Sequence, residues 1–373
     1  MSNGNTVGRG FYLPSLDGIR AIAAVMVFAS HAGLGHIIPG GFGVTVFFFL
    51  SGYLITTLMR REFEQTGSLD FKAFYLRRAY RILPPLYVVL GLIVAVNAII
   101  GFDHPISLAN LASLILQYSN YYLLAVGHDD ILPSSGSFWS LAVEEHFYLV
   151  FPLVFLLTSR HWSRAGVARF FIATCLLVLA WRYMLILGMG APGERTYLAT
   201  DTRIDSMLFG CIMGVWMNPA LDADPFRHTW QKLCALAFGL GLLLSTFVIR
   251  DEMFRSTLRY TIQGIGLFPL FWLAVRHADW LIFRPLNTAT ARLLGALSYS
   301  FYLNHLLWLG VGFRIFGGGG VAASLFGLVL TMICSYIVYK MVEIPFGRLR
   351  HRLHAQAGKK GMAANRKDDT RVA

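Results

Sequence analysis

Charge is what this chain has least of. Asp, Glu, Lys and Arg together make up 14% of its 373 residues, while apolar side chains make up 56%. Soluble domains carry about a quarter charged residues, so an ordinary soluble enzyme is excluded. Cysteine is scarce as well. Cys175, Cys211, Cys234 and Cys334 sit singly in apolar segments with no CxxC spacing, which excludes a disulfide framework and a thiolate metal site. No nucleic-acid motif accompanies the net charge of +12. There is no repeat of fixed period, no second soluble domain and none of the large polar loops that a sugar-nucleotide-dependent glycosyltransferase needs. A cleavable signal peptide is not convincing either. The first apolar stretch, Ile19 to Ile38, is longer than a signal core and carries Arg20 and His31, so it reads as a retained helix.

What is present is a succession of apolar runs of roughly 17–23 residues, the length a helix needs to cross a bilayer. Lipid offers no partner to open backbone groups, so these runs imply an all-α polytopic membrane protein. Spans are expected near 19–38, 41–59, 83–101, 138–158, 168–188, 203–217, 232–249, 259–275, 293–312 and 319–341. The stretch 106–126 is apolar but holds Asn110, Gln117, Ser119 and Asn120. If it stays at the outer surface as a re-entrant or interfacial helix, about 25 of the 32 Lys and Arg residues fall on one side. That distribution predicts about ten transmembrane helices with both termini cytoplasmic. Residues 1–346 form the membrane domain, and 347–373 read as a basic, disordered cytoplasmic tail.

Ionisable groups inside apolar runs are costly, and therefore functional suspects. Arg20 and His31 are eleven residues apart. On a regular helix that returns them to within about 20° of one face, about 16 Å apart along the axis. Asp17 shares that face. His31 reads either as a neutral core histidine or as a general base, because histidine titrates near neutrality; His36 is interfacial. In FKAFYLRRAYRILPP, Arg77, Arg78 and Arg81 begin a helix entering the membrane, with Arg78 and Arg81 on one face. They suit phosphate binding, or plain positive-inside anchoring. In FWSLAVEEHFYLVFP, Ser140, Glu144 and Tyr148 share a face, while Glu145 and His146 point elsewhere. Asp201, Arg203 and Asp205 lie at the outer end of a helix and read as an ion-pair network or as substrate contacts. His305, taken alone, reads as structural.

Together these segments resemble acyltransferase family 3, the membrane proteins that include O-acetylases of bacterial surface polysaccharides. The resemblance runs from about Leu13 to Phe346. It begins with LPSLDGIRAIAAVMVFASH, which carries the Arg–ten residues–His pattern as Arg20 and His31. It continues through GGFGVTVFFFLSGYLI, the Arg78–Arg81 pair, Ser140-Glu144-Phe147-Tyr148, TRIDSMLFG, SYSFYLNH and VEIPF, in the family's order. Thr45 stands where many members have Asp, which removes a polar partner from the site. His146 replaces a common Gln, and Asn304 a Trp or Leu. The chain is similar to those members that lack an extracytoplasmic hydrolase-like domain.

The resemblance implies a cytosolic acyl-CoA donor, acetyl-CoA in the simplest case, and no metal. The implied acceptor is a carbohydrate or lipid-linked glycan, handled in the bacterial inner membrane among membrane lipids and alongside polysaccharide-synthesis machinery. No nucleic-acid partner is implied. Arg20, Arg78 and Arg81 would hold the CoA phosphates, and His31 would act as general base or as covalent acyl carrier. Glu144 would orient or charge-stabilise His31 or the acceptor, with Ser140, Tyr148, Asp201, Arg203 and Asp205 as substrate contacts. The competing reading is a transporter or flippase of a glycan or small molecule, which also places charges at midplane; the inverted repeat such proteins often carry is not found.

Overall fold

The computed structural model describes residues 13–100 and 107–349. The expected tail therefore lies almost wholly outside the described residues. Among those described there is no strand, and helices account for most of them. Eight helical segments are long and apolar enough to cross a membrane: Pro14–Leu34, Gly40–Thr66, Phe71–Ile100, Gly136–His161, Arg164–Gly188, Thr229–Val248, Leu258–Arg276 and Val321–Leu349. This is a multi-pass membrane protein. The two remaining expected spans correspond to a 16-residue helix at Thr200–Val215 and a 27-residue helix at Ala289–Ile315. The first is about 24 Å long, short of the ~30 Å hydrocarbon core. The second carries the buried Ser298, Ser300, Asn304 and His305 along its length.

Several boundaries differ from the sequence expectation, each for a local reason. The first helix, α1 (Pro14–Ala29), starts earlier than expected because Pro14 opens it and Asp17 lies in its first turn. It then loosens into a π turn at Ser30–Leu34, where Gly33 has a φ of 100°. After α2 (Gly40–Thr66), α3 (Phe71–Ile100) already includes the basic segment. Pro84 and Pro85 lie inside α3, as they do for a helix that Arg77, Arg78 and Arg81 open, although the expected span itself begins only near residue 83. Pro84 and Pro85 remove the N–H partners of the Tyr80 and Arg81 carbonyls, which membrane helices tolerate, and beside them Tyr299 Oη donates to the Ile82 carbonyl at 2.8 Å. The stretch 106–126 is not one helix but two, α4 (Leu108–Ile115) and α5 (Ser119–Val126), each about 12 Å long and unable to span.

The chain continues through α6 (Trp139–His161), α7 (Arg164–Tyr183), α8 (Gly193–Leu198), α9 (Thr200–Val215), α10 (Thr229–Val248), α11 (Glu252–Ser256), α12 (Leu258–Arg276), α13 (Ala289–Ile315) and α14 (Val321–Val338). It divides into two units. One holds the residues up to Arg60 together with Thr158–Ser298; the other holds Arg61–Leu157 and the chain from Tyr299 onward.

Within the first unit, α2 and α9 touch backbone to backbone. A Cβ on Gly210 would run into the Phe49 carbonyl, and one on Gly52 into that of Met207. Lipid supplies no hydrophobic drive between helices, so such small-residue contacts are what let them associate. The same helices are locked at one end by Arg60, which is buried, pairs with Asp222 at 2.8 Å and donates to the Val215 carbonyl at 3.1 Å. Asn218 joins this knot through Tyr53 Oη and Thr57 Oγ1.

Asp222 lies in the loop after α9. Partial burial works to raise its carboxyl, but hydrogen bonds from Arg60 and the Asn218 N–H, with Arg164 nearby, hold it below the ordinary carboxylate value. A lowered folded-state value gives stability that is present above the unfolded carboxylate range, near pH 4, and lost as the pH falls through the folded value. The thermal stability of the purified protein is therefore expected to fall below about pH 4. Asp222→Asn should melt lower at pH 7 and show a shallower acid decline.

Candidate active site

In the second unit, α3 and α6 bring three of the expected residues together. Arg78 lies over the Tyr148 ring, with 4.8 Å from guanidinium carbon to ring centroid. Tyr148 Oη donates to Glu144 Oε2 at 2.8 Å, one helical turn back. Both Glu144 and Glu145 lie within electrostatic range of Arg78. Adjacent helix residues stand about 100° apart, so Glu145 leaves the face of Ser140, Glu144 and Tyr148 and still lies within that range. Tyr299 of α13 faces the same carboxylates together with Arg81 and Glu343, and Glu343 accepts a hydrogen bond from Ser300. His146 does turn away, its ring stacked on Tyr121 of α5 at 5.9 Å.

Ser140 is placed differently. It is buried and shares a 2.6 Å hydrogen bond with Tyr302 Oη, which itself donates to the Ser137 carbonyl at 3.0 Å. Nearby, His305 Nδ1–H donates to the Tyr302 carbonyl at 2.6 Å and is fully buried.

The first unit holds Arg20 and His31. Arg20 is half-buried on α1, and His31 is exposed in the π turn that follows. The regular 3.6-residue periodicity ends at Ala29, so a strict helical projection does not fix which way His31 faces. Its ring hydrogen-bonds the Val27 carbonyl, a contact that orients the imidazole and leaves the other nitrogen as the basic one.

Asp201, Arg203 and Asp205 occupy three environments rather than one. Asp201 accepts from Arg195 at 2.7 and 3.0 Å and from Trp181 Nε1 at 2.6 Å. Arg203 is fully buried 4.1 Å above the Tyr260 ring and donates to Thr45 Oγ1 at 3.0 Å. Thr45 in turn reaches Gln263 Oε1 at 3.2 Å, so this position keeps a polar contact and loses only a charge. Asp205 forms a 2.8 Å ion pair with Arg182, both side chains 0% exposed.

The sequence of this chain matches the profile of the acyltransferase domain over residues 13–340. It belongs to acyltransferase family 3. Among its relatives is a Staphylococcus aureus (strain COL) protein named "Putative O-acetyltransferase", 29% identical over 355 residues, which cover 90% of this chain and 57% of that protein. Another is O-acetyltransferase OatA of Staphylococcus aureus (strain NCTC 8325 / PS 47), 27% identical over 359 residues, covering 94% and 59% respectively. The chain thus spans less than three-fifths of the length of these relatives. No solved structure matches it.

Within this acyltransferase domain, sequence reasoning passed over Arg182, Glu145 and Tyr299. Arg182 was within reach, because an Arg late in the apolar run of α7 is itself an intramembrane charge. Glu145 carried the same signal as a carboxylate in an apolar run but read as pointing elsewhere, while Tyr299 carried none, because its place beside these groups depends on how α13 packs within the second unit.

Proposed function

We propose that the protein is an O-acyltransferase of the bacterial inner membrane. It moves an acyl group, acetyl in the simplest case, from cytosolic acyl-CoA to a hydroxyl of a carbohydrate-type acceptor such as an exopolysaccharide or a lipid-linked glycan. The observation that carries this reading is the acyltransferase-domain match, which encloses every candidate residue from Arg20 to Asp205. The names of the relatives supply the O-acetyl chemistry. In this reading ten helices cross the membrane with both termini cytoplasmic, and polysaccharide-synthesis machinery supplies or receives the acceptor.

In the base form of the mechanism, His31 takes the acceptor hydroxyl proton as the oxygen attacks the thioester. The C–O bond forms, the C–S bond breaks, and the proton leaves with the CoA thiolate. In the carrier form, a ring nitrogen of His31 attacks the thioester, its C–N bond forming as the C–S bond breaks and CoA thiolate leaves; the acceptor oxygen then attacks the acyl-imidazole, the C–N bond breaks to restore His31, and the hydroxyl proton balances the CoA thiolate. Arg78 and Arg81 hold donor phosphates at the inner face, with Arg20 assisting. Glu144 orients either His31 or the acceptor, and Tyr148 fixes Glu144 through their hydrogen bond.

The test is incubation of membranes holding the protein with labelled acetyl-CoA and candidate glycans. Label is expected in the glycan; a transporter or flippase would leave it in the CoA. Arg81→Ala is expected to raise the KM for acetyl-CoA by about tenfold or more, a charge-assisted hydrogen bond's worth, with the acceptor KM little changed. Equal effects on both would remove the arginines from phosphate binding.

A further inference from the structure

The break between α4 and α5 is built against the ordinary preference of its backbone. Gln117 has a φ of 59°. Tyr118 N–H bonds to the Ser113 carbonyl and Leu116 N–H to that of Ala112. This is a helix C-terminus closed by a residue in left-handed conformation, where glycine is favoured and a long side chain is strained. A non-glycine residue kept at such a position points to a use for its side chain.

Gln117 is 9% exposed as a residue, and its amide is only half used. Nε2 donates to the Leu114 carbonyl at 2.6 Å, capping the helix end, while Oε1 is buried and accepts no hydrogen bond among the described residues. The surroundings are polar on the same side. Asn110, Ser113, Ser119 and Asn120 are buried, whereas Leu108 and Leu116 are 84% and 69% exposed. This is the reverse of a water-facing amphipathic helix. Asn110 and Ser113 are already paired, Asn110 Oδ1 accepting from the Leu132 N–H at 3.2 Å and Ser113 Oγ donating to the Asn110 carbonyl at 2.7 Å, whereas the Gln117 oxygen is a buried acceptor left over at the break. Neither helix carries a charged residue; apart from the His146 ring, which stacks on Tyr121 and hydrogen-bonds the Gln117 backbone, the chemistry presented is amide and hydroxyl. Such groups match a neutral polyol and offer no charged group to a phosphate.

We propose that Gln117 recognises the acceptor, its buried amide oxygen accepting a hydrogen bond from a sugar hydroxyl at the α4–α5 break. This rests on the carbohydrate-acceptor reading above and adds a substrate-binding residue to it. It is consistent with the expected placement of 106–126 towards the outer surface.

The test uses the full chain in proteoliposomes with labelled acetyl-CoA and maltotetraose, cellotetraose or chitotetraose as acceptor. Gln117→Gly keeps the backbone conformation and removes the amide. The expected result is an acceptor KM raised about five- to tenfold, one neutral hydrogen bond's worth, with the acetyl-CoA KM unchanged. Gln117→Asn, which tolerates the left-handed region and keeps an amide, should recover part of the loss. An unchanged acceptor KM in Gln117→Gly overturns the proposal, whether its melting temperature holds or falls; a fall alone would assign the amide to capping α4. If the wild-type protein labels none of the three sugars, it is the carbohydrate reading that fails, a result visible before any variant is made.

Discussion

His31→Ala is expected to lower acyl transfer by about 10²- to 10⁴-fold, the range a positioned proton-transfer group contributes, while leaving insertion and melting temperature intact. The structure makes this a clean experiment. His31 is exposed, in a π turn that follows α1, so its loss opens no core cavity. The same protein can separate the two chemical roles. Brief exposure to labelled acetyl-CoA without acceptor would leave hydroxylamine-sensitive label on the wild-type chain if His31 carries the acyl group. A base leaves none, and transfers label only when the acceptor is present. Wild-type turnover in His31→Ala would remove this residue from the reaction altogether.

The residues that were legible in the sequence are those whose cost does not depend on their neighbours. An arginine or histidine in an apolar run is expensive wherever the helix packs, so Arg20, His31, Arg78 and Glu144 stood out unaided. The eight apolar helices were legible for the same reason, since length and composition alone set them. What was hidden depends on local departures or on tertiary pairing. Gly33 is silent about the π turn it sits in. The hydrogen bond that Tyr299 donates to the turn before Pro84 and Pro85 was equally hidden, because it comes from over 200 residues away. Asp201, Arg203 and Asp205 looked like one cluster because they are close in sequence, yet successive turns of α9 send them to different partners.

Asp205→Asn should have the largest effect on stability of any single change in the first unit. Arg182 and Asp205 face each other at 2.8 Å with no exposure on either side chain. Arg182 also donates to the Thr202 carbonyl at 2.8 Å and to Thr261 Oγ1 at 2.6 Å, tying α7 to both α9 and α12. Removing one member of a buried pair strands the other charge, at a cost of about 3–5 kcal/mol. Asp205→Asn is therefore expected to accumulate poorly and to melt well below the wild type. Replacing both partners, as Arg182→Met with Asp205→Leu, strands no charge and should recover most of the lost stability, less the two hydrogen bonds to Thr202 and Thr261. That double variant also separates packing from substrate contact. A fully buried, paired Asp205 has no face to offer a substrate, so the recovered protein should retain acyl transfer within about threefold, a loss of under 1 kcal/mol. Recovered melting with transfer abolished would return Asp205 to the substrate-binding set and would mean that the pair opens during turnover.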